Sequence, residues 1–110
     1  MSIFTPFPLL NIKNRVVMAP MTRFACTEDG SPTEELSKYY MKRAENDLGL
    51  IIIESSAIND KDAMGYLNGA QFHSKEHVLN WKPLVDKIHQ QGAKVWVQLF
   101  HAGRLTVKEI

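Results

Sequence analysis

The stretch Leu50-Ile51-Ile52-Ile53-Glu54-Ser55-Ser56 decides the fold class of this chain. It opens with an uninterrupted aliphatic run, which predicts a strand over residues 50–54 that is buried on both faces. Strands of this kind are typical of parallel sheets, because crossover helices cover both faces of such sheets. The polar residues that follow the run lie where a parallel sheet gathers its functional groups, at the carboxyl ends of its strands.

Two further apolar runs flank this strand in the sequence. Val16-Val17-Met18-Ala19, which Pro20 stops, predicts a strand over residues 16–20 that is also buried on both faces, and an apolar run predicts a third strand over residues 94–99. We expect these strands to be parallel and adjacent in sequence order. Residues 3–15 mix apolar side chains with prolines and asparagines, which favours a short N-terminal hairpin.

A helical pattern separates the first strand from the second. Ser31-Pro32-Thr33-Glu34 has the form of a capping box, with Ser31 as the cap and proline at the first helical position. Leu36, Tyr40 and Ala44 follow at helical spacing. Gly49 is a suitable end for this helix.

A second helix is predicted over residues 80–91 from an apolar stripe that includes Trp81. With Asn80 as its cap, Pro83 would fall in the first turn, where proline is tolerated. Residues 74–79 then form a separate short turn of helix. Residues 59–72 contain glycines and no periodic pattern, which predicts a loop.

The predicted order is strand, helix, strand, helix, strand, which indicates an α/β fold with right-handed crossovers. Open doubly wound sheets and (β/α)8 barrels both begin with this (βα)2β arrangement. A closed barrel needs about 250 residues, and the chain has 110. No linker or shift in composition divides the chain, so we expect residues 1–110 to be part of a single, incomplete domain.

Composition and charge argue against several classes of function. The chain has 13 basic and 12 acidic residues and a net charge of +1, which predicts neither a nucleic-acid surface nor a membrane-binding patch. Cys26 is the single cysteine, which argues against a disulfide framework and fits a reducing compartment. The N-terminus lacks the basic segment of a signal peptide. A cytoplasmic protein is the expectation.

Polar residues accompany each predicted strand end. Thr22 and Arg23 follow the first strand, Glu54 and Ser55 follow the second, and Gln98 interrupts the third. Because parallel strands end at one rim, these groups should converge on one pocket, although polar residues also end strands that simply meet solvent. A buried amide without a partner costs roughly 1–3 kcal/mol. A ligand or a neighbouring backbone group should therefore meet the Gln98 side chain.

Four stretches together resemble one known family. They are Asn14–Arg23, Tyr39-Tyr40 with Arg43-Ala44, Gly49–Glu54 and Gln98–Arg104. In this order and spacing they resemble the old yellow enzyme family of NADH:flavin oxidoreductases over residues 4–104. The resemblance implies a (β/α)8 TIM barrel with FMN as cofactor and NADH or NADPH as reductant. It implies that the complete enzyme reduces activated C=C bonds in small unsaturated carbonyl compounds.

The resemblance also assigns residues to the cofactor site: Ala19, Pro20, Met21, Thr22, Ser55 and Gln98. The first three would lie with their backbone along the flavin, and the Thr22 hydroxyl would tune the flavin's reduction potential. Ser55, at a position usually held by glycine or alanine, would contribute its backbone. Gln98 would pair its amide with the pyrimidine ring. Phe24 falls where some relatives have a tyrosine that faces the substrate.

Several parts of the family's active site belong to later strands than these. They are the pair that anchors the substrate (two histidines, or a histidine and an asparagine), the tyrosine proton donor and the FMN phosphate site. The remainder of the barrel is therefore an expected partner, and a homo-oligomer is compatible with the pattern. Two alternatives stay open: a truncated, non-catalytic fragment, and a phosphate-binding (β/α)8 isomerase with the same opening topology.

Two other features of the sequence contain residue types that occur in functional sites. His73-Ser74-Lys75-Glu76-His77 has the H-x-x-E-H form of some zinc peptidases, but that site needs a helix and a third ligand. Because the motif spans a junction between loop and helix, we expect surface histidines beside a Ser74 cap, and no metal. No feature near Cys26 predicts a lowered pKa, so an unreactive loop cysteine is expected.

Overall fold

The computed structural model describes residues 2–107. The strands are β1 (Val17–Met18), β2 (Leu50–Ala57), β3 (Ala70–Gln71) and β4 (Lys94–Phe100). The helices are α1 (Glu34–Ala44) and α2 (Lys75–Gln90), and short 3-10 turns lie at Pro8–Leu10 and Gly103–Leu105. Within this range of residues, no helix combines the length and the apolar character that crossing a membrane requires.

β2 is the centre of a parallel sheet. β4 pairs with it from Leu50 to Ala57, β1 pairs with Leu50 and Ile51, and β3 pairs with Ser56 and Ala57. Because β4 occupies one edge of β2, β1 and β3 lie one after the other along the opposite edge. The parallel pairing of β1, β2 and β4, with α1 and α2 between them in the sequence, confirms the predicted α/β arrangement.

The strands differ in extent from the prediction. β1 consists only of Val17 and Met18, and Val17 is 44% exposed, so β1 is not buried on both faces. β2 continues beyond residue 54 to Ala57, because β3 supplies a neighbour for its last residues. β3 lies in the segment expected to be a loop. A strand of two residues is too short to show a periodic pattern.

The N-terminal segment forms the expected short hairpin. Phe7 and Ile12 pair in an antiparallel bridge around the 3-10 turn, and Asn11 has a left-handed φ of 51°. Arg15 secures the hairpin to the chain ahead of β1. Its Cζ lies 5.0 Å from the centroid of the Phe7 ring, and its guanidinium donates a hydrogen bond to the carbonyl of Pro6.

α1 is capped by Thr33 and not, as predicted, by Ser31. The Thr33 hydroxyl accepts a hydrogen bond of 3.2 Å from the N–H of Leu36. The Ser31 hydroxyl instead accepts a hydrogen bond from the side-chain amide of Asn80, which joins the loop before α1 to α2. Both residue types can cap a helix, so this long-range contact decides between them.

Gly49 does not end α1, which already ends at Ala44. A Cβ at Gly49 would lie 2.4 Å from the carbonyl oxygen of Asn14, far inside van der Waals contact. Asn14 is itself fixed there, because its side chain accepts a hydrogen bond from the N–H of Val16 and donates one to the carbonyl of Asp47. Glycine is therefore required by the close approach of the two chain segments that enter β1 and β2.

α2 begins earlier than predicted. Ser74 caps it, with its hydroxyl 3.1 Å from the N–H of His77, and the expected cap Asn80 lies inside the helix. Pro83 is consequently in the helix interior, where the carbonyl of Leu79 loses its usual donor. Leu79 is 56% exposed, so water can reach that carbonyl in place of the missing N–H.

The hydrophobic core lies between the helices and one face of the sheet. Its largest fully buried apolar side chains are Trp81, Tyr40, Leu36, Ile51, Ile53 and Ile88. Val95 and Val97 of β4 pack against this core, whereas Trp96 on the other face is 50% exposed. Gln98 shares that second face and is exposed, not buried as expected, because no element within residues 2–107 covers it.

Candidate functional site

The candidate site lies at the carboxyl ends of β1, β2 and β4. Beyond Met18, the end of β1, the chain runs to Thr22, whose Oγ1 lies 2.8 Å from the Oγ of Ser55. This hydrogen bond joins the end of β1 to the end of β2. Ala19 and Met21 are exposed, and Pro20 and Thr22 are half-buried, so the segment forms an accessible rim.

A β-bulge shapes the end of β2. Ile53 pairs with Val97 and Ser56 pairs with Leu99, so two residues of β2 oppose the single residue Gln98 of β4. A bulge of this kind shifts the alternation of side chains between the two faces of a sheet. The two residues at the bulge are Glu54 and Ser55. Glu54 consequently turns toward α1, on the same side as Ile53, and Ser55 turns toward Thr22.

Glu54 is fully buried, and its side chain makes its described hydrogen bonds with neighbouring segments. The hydroxyl of Tyr40 in α1 donates a 2.8 Å hydrogen bond to Oε2 and accepts one of 3.0 Å from the Glu54 N–H. The N–H of Arg23 lies 3.4 Å from Oε1. The Glu54 side chain therefore links helix α1, strand β2 and the backbone beside Thr22.

The electrostatics of this buried group follow from its surroundings. Burial raises the pKa of the Glu54 carboxyl, and hydrogen bonds from Tyr40 and Arg23 oppose that rise. Burial, reinforced by the Glu54 charge, also raises the pKa of the Tyr40 phenol. On periodicity alone Tyr40 is a packing residue. In the sequence, the one sign that Glu54 needs a hydrogen-bond partner is its position directly after an aliphatic run.

An aromatic group borders the rim. Phe24 has a left-handed φ of 55° and its side chain is 59% exposed. Its ring meets Tyr66 edge to face at a centroid distance of 5.4 Å, and Tyr66 stacks on Phe100 of β4 at 5.8 Å. The sequence singled out Phe24 alone. Tyr66 lies in the β2–β3 connection, which carries no pattern, so only the fold brings the three rings together.

The polar groups at the rim fit the flat heterocycle of a flavin. Gln98 lies opposite the bulge, level with Ser55, and its exposed amide offers both a donor and an acceptor. Thr22 and Ser55 add hydroxyl groups, and residues 19–21 are exposed or half-buried. The pyrimidine edge of a flavin alternates carbonyl oxygens with ring N–H, which this donor and acceptor set matches.

The H-x-x-E-H motif has a structural role. His77 is 6% exposed, not at the surface as expected, and its Nδ1 accepts the N–H of His73 at 3.3 Å. Its Nε2 must then carry the proton and donate to the carbonyl of Asp29 at 2.7 Å. With both ring nitrogens engaged, His77 has no lone pair for a metal. The expected Ser74 cap is confirmed.

Cys26 is buried and should be unreactive. Burial, with a smaller effect of the Glu54 and Asp29 charges, raises the pKa of its thiol to about 12. We expect alkylation by iodoacetamide at pH 8 to be at least about a hundredfold slower in the folded protein than in urea, because the thiolate is the nucleophile. The rate is measured by mass spectrometry. Equal rates in both states would contradict the burial of this thiol.

The fold and the rim define a class: the opening segment of a (β/α)8 barrel with a flavin-compatible site at the carboxyl ends of its strands. The sequence model of the NADH:flavin oxidoreductase / NADH oxidase family matches residues 2–110. The chain belongs to this family, which confirms the resemblance and sets aside the phosphate-binding isomerase. The resemblance implied FMN as cofactor and NADH or NADPH as reductant, and membership of this family agrees with both.

Individual relatives show how much of the family fold the chain covers. It is 34% identical over 105 residues to a protein of Epichloe festucae var. lolii named probable inactive reductase, covering 94% of this chain and 27% of that protein. It is 36% identical over 105 residues to the NADPH dehydrogenase of Bacillus subtilis, covering 93% and 31%. The solved structure of Old Yellow Enzyme from Pichia sp. AKU4542 matches with a TM-score of 0.85 at 34% identity, covering 94% of this chain and 27% of that chain. The chain spans less than a third of these proteins.

Proposed function

We propose that the protein carrying this chain is an FMN-dependent, NAD(P)H-driven oxidoreductase that reduces activated C=C bonds in small unsaturated carbonyl compounds. The observation that carries the proposal is the Thr22–Ser55 hydroxyl pair, 2.8 Å apart, at the same rim as the exposed amide of Gln98. The chain's membership of the family supports it. Residues 1–110 would form one part of a single domain, and the remainder of the barrel would complete the site.

The residues at the rim would bind and orient the cofactor. The backbone of Ala19, Pro20 and Met21 would lie along the ring system, and the amide of Gln98 would pair with its pyrimidine edge. FMN, when bound, supplies the hydride chemistry. Phe24 has no hydroxyl, so it would offer the substrate an apolar surface without a hydrogen bond.

The proposal is tested on the full-length protein. We expect it to copurify with FMN and to oxidise NADH or NADPH when an unsaturated ketone such as cyclohexenone is added. Product analysis by gas chromatography would show the saturated ketone. A preparation that neither contains FMN nor binds it on addition would refute the proposal.

A second candidate is a member of the family that has lost its activity. The observation in its favour is the similarity to a relative named probable inactive reductase. The same assay separates the two candidates, because an inactive member would bind FMN without transferring electrons from NAD(P)H to the ketone.

Thr22→Ala is expected to leave FMN bound and to lower its reduction potential. Binding at this position would depend mainly on backbone groups, whereas a donated hydrogen bond favours the reduced flavin, which carries more negative charge on its oxygens. Spectroelectrochemistry of the FMN-loaded protein measures the potential. An unchanged potential would remove Thr22 from the tuning role.

A further inference from the structure

We propose that Ser55 is a positioning residue that acts through Thr22, by donating a hydrogen bond to Thr22 Oγ1 and thereby directing the Thr22 proton toward the flavin. This inference rests on the proposed function, since it requires a flavin at the rim. It gives the Ser55 side chain a role of its own, whereas the family resemblance implies only a backbone contact at this position.

The direction of the hydrogen bond follows from the burial of the two hydroxyl groups. Ser55 is 8% exposed, and within residues 2–107 the oxygen of Thr22, at 2.8 Å, is the partner that the structure gives its hydroxyl. A buried hydroxyl that keeps its proton without an acceptor loses on the order of 1–3 kcal/mol. Thr22 is only half-buried, so its proton can point away from Ser55 into the accessible rim.

Both hydroxyl groups are held in place by neighbouring structure. The bulge opposite Gln98 turns Ser55 toward Thr22, and the buried carboxylate of Glu54 accepts the backbone N–H of Arg23, the residue after Thr22. Glu54 is in turn fixed by the hydroxyl of Tyr40. The Thr22–Ser55 pair therefore lies between strand β2 and the backbone beside Thr22, and the Glu54 side chain connects these two segments.

The consequence for a bound flavin is a stronger and better oriented donor. A hydroxyl that accepts one hydrogen bond donates a stronger one, because the two bonds polarise each other. Ser55 would thus increase the preference of Thr22 for the reduced cofactor. Without Ser55, the Thr22 hydroxyl could rotate among several directions and would favour the reduced state less.

The test is a double-mutant cycle on the reduction potential of the FMN-loaded, full-length protein. Ser55→Ala keeps the backbone and removes the hydroxyl, so we expect FMN to stay bound and its potential to fall, by less than in Thr22→Ala. In the double variant the potential should equal that of Thr22→Ala alone, because Ser55 has no effect without its partner. Ser55→Gly should behave like Ser55→Ala. With both variants, a folding defect in one of them does not decide the result.

The matched control is Ser56→Ala. Ser56 is likewise a buried serine of β2, but its hydroxyl donates to the carbonyl of Glu54 at 2.8 Å and not to Thr22. Its loss should affect stability and leave the potential unchanged. An unchanged potential in both Ser55 variants, or shifts that add in the double variant, would overturn the proposal. Absence of FMN from the unmodified protein would instead refute the proposed function.

Discussion

A polypeptide limited to these 110 residues is expected to self-associate and to bind no FMN as a monomer. Its sheet has one face without a covering layer in the described residues, where Val17 is 44% and Trp96 50% exposed. Leu99 is 63% exposed. Apolar surface of this kind on an open sheet favours pairing with other chains, and a closed barrel avoids the problem by having no edges.

The loss of FMN binding has a separate cause. The chain would provide ring contacts from residues 19–22, Ser55 and Gln98, while the phosphate site belongs to later strands in the family pattern. Size-exclusion chromatography with light scattering measures the association, and quenching of FMN fluorescence measures the binding. The full-length protein is the control. A well-behaved monomer that binds FMN at micromolar concentration would contradict the expectation and would favour a self-sufficient small domain.

Trp81→Ala should be the most destabilising single substitution in the core of this segment. Trp81 is fully buried, its Nε1 donates to the carbonyl of Gly30 at 3.3 Å, and its ring lies 5.9 Å from that of Phe72. Truncation of a buried tryptophan costs about 3–5 kcal/mol, through lost burial and the cavity that remains. Urea denaturation of the full-length protein, followed by circular dichroism, measures the change in unfolding free energy.

Two other variants of α2 serve as comparisons for Trp81→Ala. Trp81→Phe keeps most of the apolar volume and removes the hydrogen bond to Gly30, so it should cost less than Trp81→Ala. Lys82→Ala removes only an exposed ion pair with Asp86, and such pairs contribute about 0–1 kcal/mol. A loss of stability in Trp81→Ala no greater than that of Lys82→Ala would show that α2 does not pack on the sheet as described.

The regular elements could be predicted because their signals are local. The aliphatic run Leu50–Ile53 was long enough to identify the central strand, and the spacing of Leu36, Tyr40 and Ala44 identified the buried face of α1. Parallel pairing followed from the alternation of strands and helices. The convergence of Thr22 and Ser55 followed in turn, since parallel strands end at one rim.

The predictions that were wrong concern details that depend on contacts between residues far apart in the sequence. Ser31 and Thr33 both suit a helix cap, and the bond from Asn80 to Ser31 is invisible before the loop folds against α2. Pro83 suggested a helix start at Asn80, although tertiary packing extends α2 back to Lys75. Glu54 was expected as the last residue of its strand but lies inside β2, and its contact with Tyr40 depends on the bulge.

The bulge at Glu54–Ser55 also determines how this pocket can change during evolution. Removing one residue there would restore the alternation of the strand and leave Ser56 opposite Leu99, with one residue opposite Gln98 in place of two. That single residue could face α1 or Thr22 but not both, so the chain would lose either the partner of Tyr40 or the partner of Thr22. A deletion at this point would therefore remove a polar contact from the core or from the pocket, whereas a point substitution can alter one of the two contacts and keep the other.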